Sequence, residues 1–259
     1  MKRCYLLLVM CLALGELAFI SGVHGDAAAP APAAQSAAQE PADVAAPKLG
    51  PDGQLDAHFK KDHEEFLQRR TQGKIGVLFL GDSITEGWHW WGKEVWPKYY
   101  PQMDAANFGI GGDKTEHVLW RIDNGELDGI SPKVLVLLIG TNNIGYTADE
   151  ILKGDEKIIQ EIHDKLPNTK LLILGIFPRG ADPTDAKVAE MRDKIKTVNE
   201  GLAKLDDGSK TRFLDIGDKF LGADGTIDPS VMKDALHPTP AGYEIWADNM
   251  NPLLDQMMQ

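Results

Sequence analysis

The chain has 259 residues, 43% hydrophobic and 25% charged, an ordinary globular balance that excludes collagen, wholesale disorder and a multi-span membrane protein. Its 39 Asp and Glu outnumber 27 Lys and Arg, giving a formal net charge of −12 and no general attraction for nucleic acid or an anionic bilayer. Both cysteines, Cys4 and Cys11, sit at the extreme N-terminus; once that segment is removed, a disulfide framework, a Cys-ligated zinc and a cysteine nucleophile are all excluded.

Met1-Lys2-Arg3 is followed by an almost wholly apolar stretch from Tyr5 to Leu14 and then by small residues at Ser21 to Gly25. A positive start, an apolar middle and a small-residue end make a secretory signal peptide. Residues 1–25 are therefore expected to be cleaved at Gly25/Asp26 and the protein exported, to a periplasm or the extracellular space. The unbroken apolar run is short of the roughly 20 residues that a membrane span needs. From Asp26 to Pro47 the chain is mostly Ala, Pro, Gln, Glu and Ser, with too little bulky apolar surface to fold. A flexible linker is expected over residues 26–53 and one folded domain over 54–259, which keeps a net charge of about −10.

Within that domain helical and strand patterns alternate. Leu55 to Thr71 repeats its apolar residues at helical spacing, and Lys74 to Leu80 is a short apolar run that ends at Gly81-Asp82. Asp104 to Phe108 is a weaker strand, and Thr115 to Ile122 a short helix. Lys133 to Ile139 is the most apolar strand; Thr147-x-x-Glu150 then forms a capping box for a helix over Ala148 to Leu166. Lys170 to Phe177, a helix over Asp185 to Leu205, Thr211 to Ile216 and a closing helix over Ala241 to Met257 complete the order. Strands buried on both faces read as continuous apolar runs, so the class is α/β with a parallel five-stranded sheet and helices on both sides. In such folds ligands bind beyond the carboxyl ends of the strands.

Four loops at those ends carry chemistry. Gly81-Asp82-Ser83 puts a hydroxyl and a free backbone N–H at a strand-to-helix turn, where Asp82 or Ser83 also suits a helix cap. Thr85 stands where the G-x-S-x-G elbow needs its second glycine. Asn107 to Asp113 clusters glycines whose backbone can approach a ligand, but Lys114 breaks the dinucleotide fingerprint. Gly140-Thr141-Asn142-Asn143 places two amides where one can donate to an oxyanion or cap a turn. Asp234-Ala235-Leu236-His237 lets a carboxylate fold back onto an imidazole. Together they supply what an acyl-transferring serine enzyme needs: nucleophile, base, base-orienter and oxyanion donors.

In this order the blocks Gly81-Asp82-Ser83, Gly109 to Asp113, Gly140-Thr141-Asn142 and Asp234-x-x-His237 resemble the GDSL, or SGNH, hydrolase family. Asn107 to Asn143 and Leu174 to Gly180 are similar to its platelet-activating-factor acetylhydrolase catalytic α-subunit-like members. The resemblance implies a flavodoxin-like three-layer α/β/α sandwich and a metal-free, cofactor-free ester hydrolase. It makes Ser83 the nucleophile, His237 the general base and Asp234 its orienter. The oxyanion donors would be the N–H groups of Ser83 and Gly112 and the side chain of Asn142. Ile84, Thr141 and Leu236 would wall a small acyl pocket, which points to acetyl. The α subunits it resembles dimerise, so a homodimer is an open expectation here.

For the alcohol half of the ester, export points to acetylated carbohydrate, with the indoles Trp88, Trp90 and Trp91 able to stack on sugar faces or, for at least one of the three, to pack in the core. The resemblance itself points to a short-acyl phospholipid or lysophospholipid, and a non-catalytic binding module is the remaining alternative. Arg179 reads as a surface ion pair or a contact to an anionic substrate group. Asp113 and Arg121 read as structural, and His58 and His63, which lack H-E-x-x-H spacing, as a solvated helix face without zinc.

Overall fold

The five expected strand segments become the five strands of one parallel sheet in the computed structural model, which describes residues 39–259. They are β1 (Val77–Gly81), β2 (Ala105–Gly109), β3 (Val134–Leu138), β4 (Lys170–Leu174) and β5 (Thr211–Leu214), in the spatial order β2-β1-β3-β4-β5. Helices α1 (Ala57–Arg69), α2 (Ser83–Glu86), α3 (Trp96–Tyr99), α4 (Thr115–Asp123), α5 (Ala148–Lys165), α6 (Ala186–Leu202) and α7 (Pro240–Met257) alternate with them.

Successive strand residues point to opposite faces, and the core splits accordingly. Leu78, Leu80, Leu135, Leu137, Leu171 and Ile173 pack with residues of α1, α4, α5 and α6, among them Phe59, Val118, Ile158 and Ile195. Val77, Phe79, Val134, Val136, Leu172 and Leu174 pack on the other face with Ile84, Trp88, Tyr100, Tyr243 and Trp246. This is the expected three-layer α/β/α arrangement. None of the described helices is long and apolar enough to cross a membrane.

The chain leaves β1 for β2 on one side and returns to β3 on the other. The loops after β1 and β3 therefore diverge, and a crevice opens where the strand order reverses. In register, Gly81 of β1 lies between Gly109 of β2 and Leu138 of β3. The Ser83, Gly109 to Asp113 and Asn142 loops thus begin at one level of the sheet.

Several boundaries shift by two or three residues from the sequence reading, and two of the differences have a clear physical reason. The fourth strand ends at Leu174 because Asn199 of α6 takes over the backbone: Ile176 N–H donates to its Oδ1 (2.8 Å) and its Nδ2 donates back to Ile176 O (3.1 Å). The linker expected through residue 53 is corrected as well, because its last part packs on the domain. Ala42 and Ala46 are buried. Thr115 Oγ1 donates to Ala42 O (2.7 Å), Tyr146 Oη to Glu40 O (2.8 Å) and Ala46 N to Glu116 O (3.1 Å). Small alanines and prolines carry little side-chain entropy, so an extended strap held by its own backbone bonds needs no bulky core of its own. The signal peptide at 1–25 and the linker up to residue 38 lie outside the described residues.

Candidate active site

Asp82 caps α2: its Oδ1 accepts from Ile84 N at 2.9 Å. Ser83 is the first residue of that helix, so its N–H has no intrahelical acceptor. Its Oγ lies 2.9 Å from His237 Nε2, and His237 Nδ1 lies 2.7 Å from Asp234 Oδ2. The other oxygen of Asp234 accepts from His237 N (2.7 Å) and Leu236 N (3.2 Å), so one carboxylate holds both the ring and the backbone of the loop. Burial works to raise the Asp234 carboxyl, but the His237 ring and backbone N–H groups outweigh it and hold it below its usual value. Ala235 between them has φ 55°, a left-handed conformation that costs a non-glycine residue about 1–2 kcal/mol. Gly180 N donates to its carbonyl and Ala235 N to Met232 O, which fixes that turn.

The two amides of the third loop divide the work. Asn143 is buried, accepts from Thr115 N (3.0 Å) and donates to Thr115 Oγ1 (3.1 Å) and Glu116 Oε2 (2.9 Å). Asn142 is only half-buried and donates one Nδ2 hydrogen to Asp113 O (2.8 Å), leaving its second for a ligand. Gly112 is exposed with φ +73°, open only to glycine without strain, and its N–H has no acceptor among the described residues. At Gly109 a Cβ would meet Glu86 N at 2.1 Å, so α2 can lie directly against β2 only over a glycine.

Of the expected pocket residues, Ile84 and Thr141 are buried at 1% and 2% exposure, and Leu236 is half-buried against the same core face as Ile84. The indoles separate. Trp88 is the one that packs in the core and not on a sugar, 1% exposed against Phe79, Tyr100, Tyr243 and Trp246. Trp90 is 61% exposed, and the Trp91 ring lies 5.3 Å from that of His237.

Arg179 forms no ion pair among the described residues, and its Nη2 and Nε carry no hydrogen bond there. Its Nη1 donates to Thr141 O (2.8 Å) and Oγ1 (3.3 Å), tying the loop after β4 to the loop after β3. Arg121 is fully buried, with Nε 2.9 Å from Asp113 Oδ2 and Nη groups on Glu126, Phe108 O (3.0 Å) and Gly81 O (3.2 Å). His63 is buried, not solvated, with Nδ1 3.1 Å from Glu126 Oε2. His58 meets Asp62 (3.5 Å) and Glu86 (3.0 Å), a group of three metal-capable side chains among the described residues. Sequence spacing missed it because Glu86 comes from a different element.

Sequence reading also missed Lys48 and Tyr243. Lys48 Nζ donates to Gly111 O and lies 3.8 Å from Asp113 Oδ1; its low-complexity surroundings hid it. Tyr243 Oη, buried, donates to Ile84 O (2.7 Å) and so steadies the turn after Ser83. A cavity of about 730 Å³ lined by Ile195, Phe213, Asp215 and Leu221 lies along β5, apart from Ser83.

Asp82 gives the site a pH signature. Burial pushes its carboxyl up to about 7, against the pull of the Ile84 N–H and Arg179. Between about pH 4 and 7 the folded state then binds more protons than the unfolded one, so stability falls as pH rises. Asp82→Asn keeps the cap acceptor and removes this loss. The melting temperature of the variant minus that of wild type is expected to climb from pH 5 to pH 8; a difference that stays flat over that range refutes the assignment.

Residues 79–245 match the model of the GDSL-like lipase/acylhydrolase family. The chain is 38% identical over 193 residues to human platelet-activating factor acetylhydrolase IB subunit alpha1, covering 74% of this chain and 80% of that one. It is 37% identical over 217 residues to the rat alpha2 subunit, covering 83% and 92%. A GDSL-like lipase from Bacteroides thetaiotaomicron superposes with a TM-score of 0.60 at 21% identity, over 75% of this chain and 97% of that one. An acetyl xylan esterase superposes with 0.52 at 20% identity, over 69% and 98%. The chain therefore belongs to the GDSL-like lipase/acylhydrolase family. It is an ester hydrolase with the α/β fold of that family.

Proposed function

We propose that the protein is an exported serine esterase that removes small acyl groups, acetyl first, from decorated carbohydrate. The observation that carries the catalytic part is the continuous relay from Ser83 Oγ through the His237 ring to Asp234, at 2.9 and 2.7 Å. His237 Nε2 takes the Ser83 proton as the oxygen attacks the ester carbonyl. The resulting imidazolium is held by Asp234, and the proton passes to the leaving alcohol. Water, deprotonated by the same imidazole, then releases the acid. Negative charge on the carbonyl oxygen is met by the N–H groups of Ser83 and Gly112 and the unclaimed hydrogen of Asn142. The tight surroundings of Ile84 and Thr141 favour a small acyl group.

Carbohydrate as the alcohol is supported by the exposed Trp90 and by Trp91 beside His237, since sugar faces stack on indoles. The formal charge of −12 makes an anionic bilayer an unattractive substrate surface. A second reading, a short-acyl phospholipid or lysophospholipid, is favoured by the 38% identity to a platelet-activating factor acetylhydrolase subunit. Acetate release from acetylated xylan and acetyl-sugars, compared with that from a 2-acetyl phospholipid, separates the two. Carbohydrate turnover at the higher kcat/KM is expected, and exclusive phospholipid turnover rejects it. Export is tested apart from this, by the N-terminal sequence and the compartment of the mature chain.

A further inference from the structure

Gly112 N–H belongs to the Gly111–Gly112 peptide, the middle peptide of a four-residue turn. Asp113 N donates to Ile110 O at 3.2 Å, and Gly112, the third residue, has φ +73°. That is the signature of a type II turn; a type I turn differs from it chiefly by inversion of the middle peptide. The same four residues can therefore aim the Gly112 N–H to either side.

What holds one orientation is Lys48. Its ammonium donates to Gly111 O and lies 3.8 Å from Asp113 Oδ1. In a trans peptide C=O and N–H point in opposite directions, so a carbonyl pinned toward Lys48 turns the Gly112 N–H away from it. Asp113 is in turn anchored by Arg121 (2.9 Å), and its carbonyl by Asn142 (2.8 Å). Lys48 itself is fixed by the strap, since Asp56 N donates to Lys48 O (2.9 Å) and the flanking backbone is held through Ala46 and the Gly50–Gln54 bond (2.8 Å). A side chain at position 112 would bring its Cβ within 3.0 Å of Nζ, so the glycine also makes room for the ammonium.

We propose that Lys48 is a positioning residue for hydrolysis: it locks the Gly111–Gly112 peptide in the orientation that presents the Gly112 N–H to the oxyanion. This rests on the reading of Gly112 as an oxyanion donor. The strap N-terminal to the first helix then belongs to the catalytic apparatus and is more than a tether.

The test compares wild type, Lys48→Met, Lys48→Arg and Ser83→Ala on p-nitrophenyl acetate, with thermal melts of each. Loss of a whole oxyanion donor costs about 10²–10³ in kcat, and a peptide free to flip retains part of that. Lys48→Met is expected to lower kcat by roughly 10–100-fold with KM and melting temperature little changed, and Lys48→Arg, which restores a long cationic donor, to recover most of it. An unchanged kcat in Lys48→Met overturns the proposal. So does a loss that Lys48→Arg does not recover, or one that accompanies a matching fall in melting temperature. If Ser83→Ala is inactive while Lys48→Met is normal, only the Lys48 assignment fails; if Ser83→Ala stays active, the reading of the whole site fails.

Discussion

Ser83→Ala is expected to reduce kcat on a small acetyl ester by about 10⁴-fold or more, to a residue supplied only by the oxyanion donors and substrate binding. The hydroxyl is the one reacting atom that His237 Nε2 addresses, at 2.9 Å, and alanine leaves the imidazole with no proton to take. Because the three members of a relay act as a unit, His237→Ala should cost about as much alone as together with Ser83→Ala. Asn142→Ala is graded differently: it removes one of the three proposed donors and should leave a weak remnant, down about 10²–10³-fold. Acetate release and labelling by a fluorophosphonate probe measure both. Undiminished hydrolysis or labelling by Ser83→Ala sinks the assignment of the nucleophile.

Arg121→Met is expected to have the largest effect on stability. The guanidinium is fully buried and is the shared partner of Asp113 and Glu126 as well as of the carbonyls of Phe108 and Gly81. Methionine fills similar volume but removes the guanidinium that Asp113 and Glu126 share and its donors to both carbonyls, leaving Lys48 at 3.8 Å from Asp113 and the His63 ring beside Glu126. Removing one partner of a buried ion pair costs about 3–5 kcal/mol, which for a domain of this size lowers the melting temperature on the order of 10 °C. Thermal unfolding of wild type and variant measures it, and a fall of only a degree or two contradicts it. Gly81 and Asp113 both flank the site, so the same variant should also lose activity in the fraction that remains folded.

Much of the architecture was legible in the residues. Runs such as Val77 to Leu80 and Val134 to Leu138 are buried on both faces, so they carry an unbroken apolar signal. Helix α5 announced its own start, since Thr147 and Glu150 form the capping box that the spacing predicts, with Thr147 N on Glu150 Oε2 at 2.8 Å. The ends of elements were less legible where a side chain from elsewhere ends a ladder, as Asn199 does beyond Leu174.

Ser83, Asp234 and His237, which the structure brings within hydrogen-bond distance of one another, were legible as a candidate group because each sits in a short local motif in a loop at the sheet edge. Trp88, Trp90 and Trp91 were not, because neighbouring residues on one tight turn face core, solvent and site in succession. His63 was misread for a different reason, since its partner Glu126 is distant in sequence, and the same distance hid the bond from Arg179 to Thr141. Lys48 was hidden by composition, which reports that a segment has little to bury but says nothing of backbone bonds that hold it in place.

By itself, then, the sequence determined the strands, the long helices and the four loops, since these follow from periodicity and from turn chemistry within a few residues, though not the short helix α3. Only the tertiary structure decided what Asn143 binds, which indole meets the site, and that a lysine from the strap grips the Gly111 carbonyl. Those choices depend on where a parallel sheet brings loops separated by dozens of residues, and no local pattern encodes that distance.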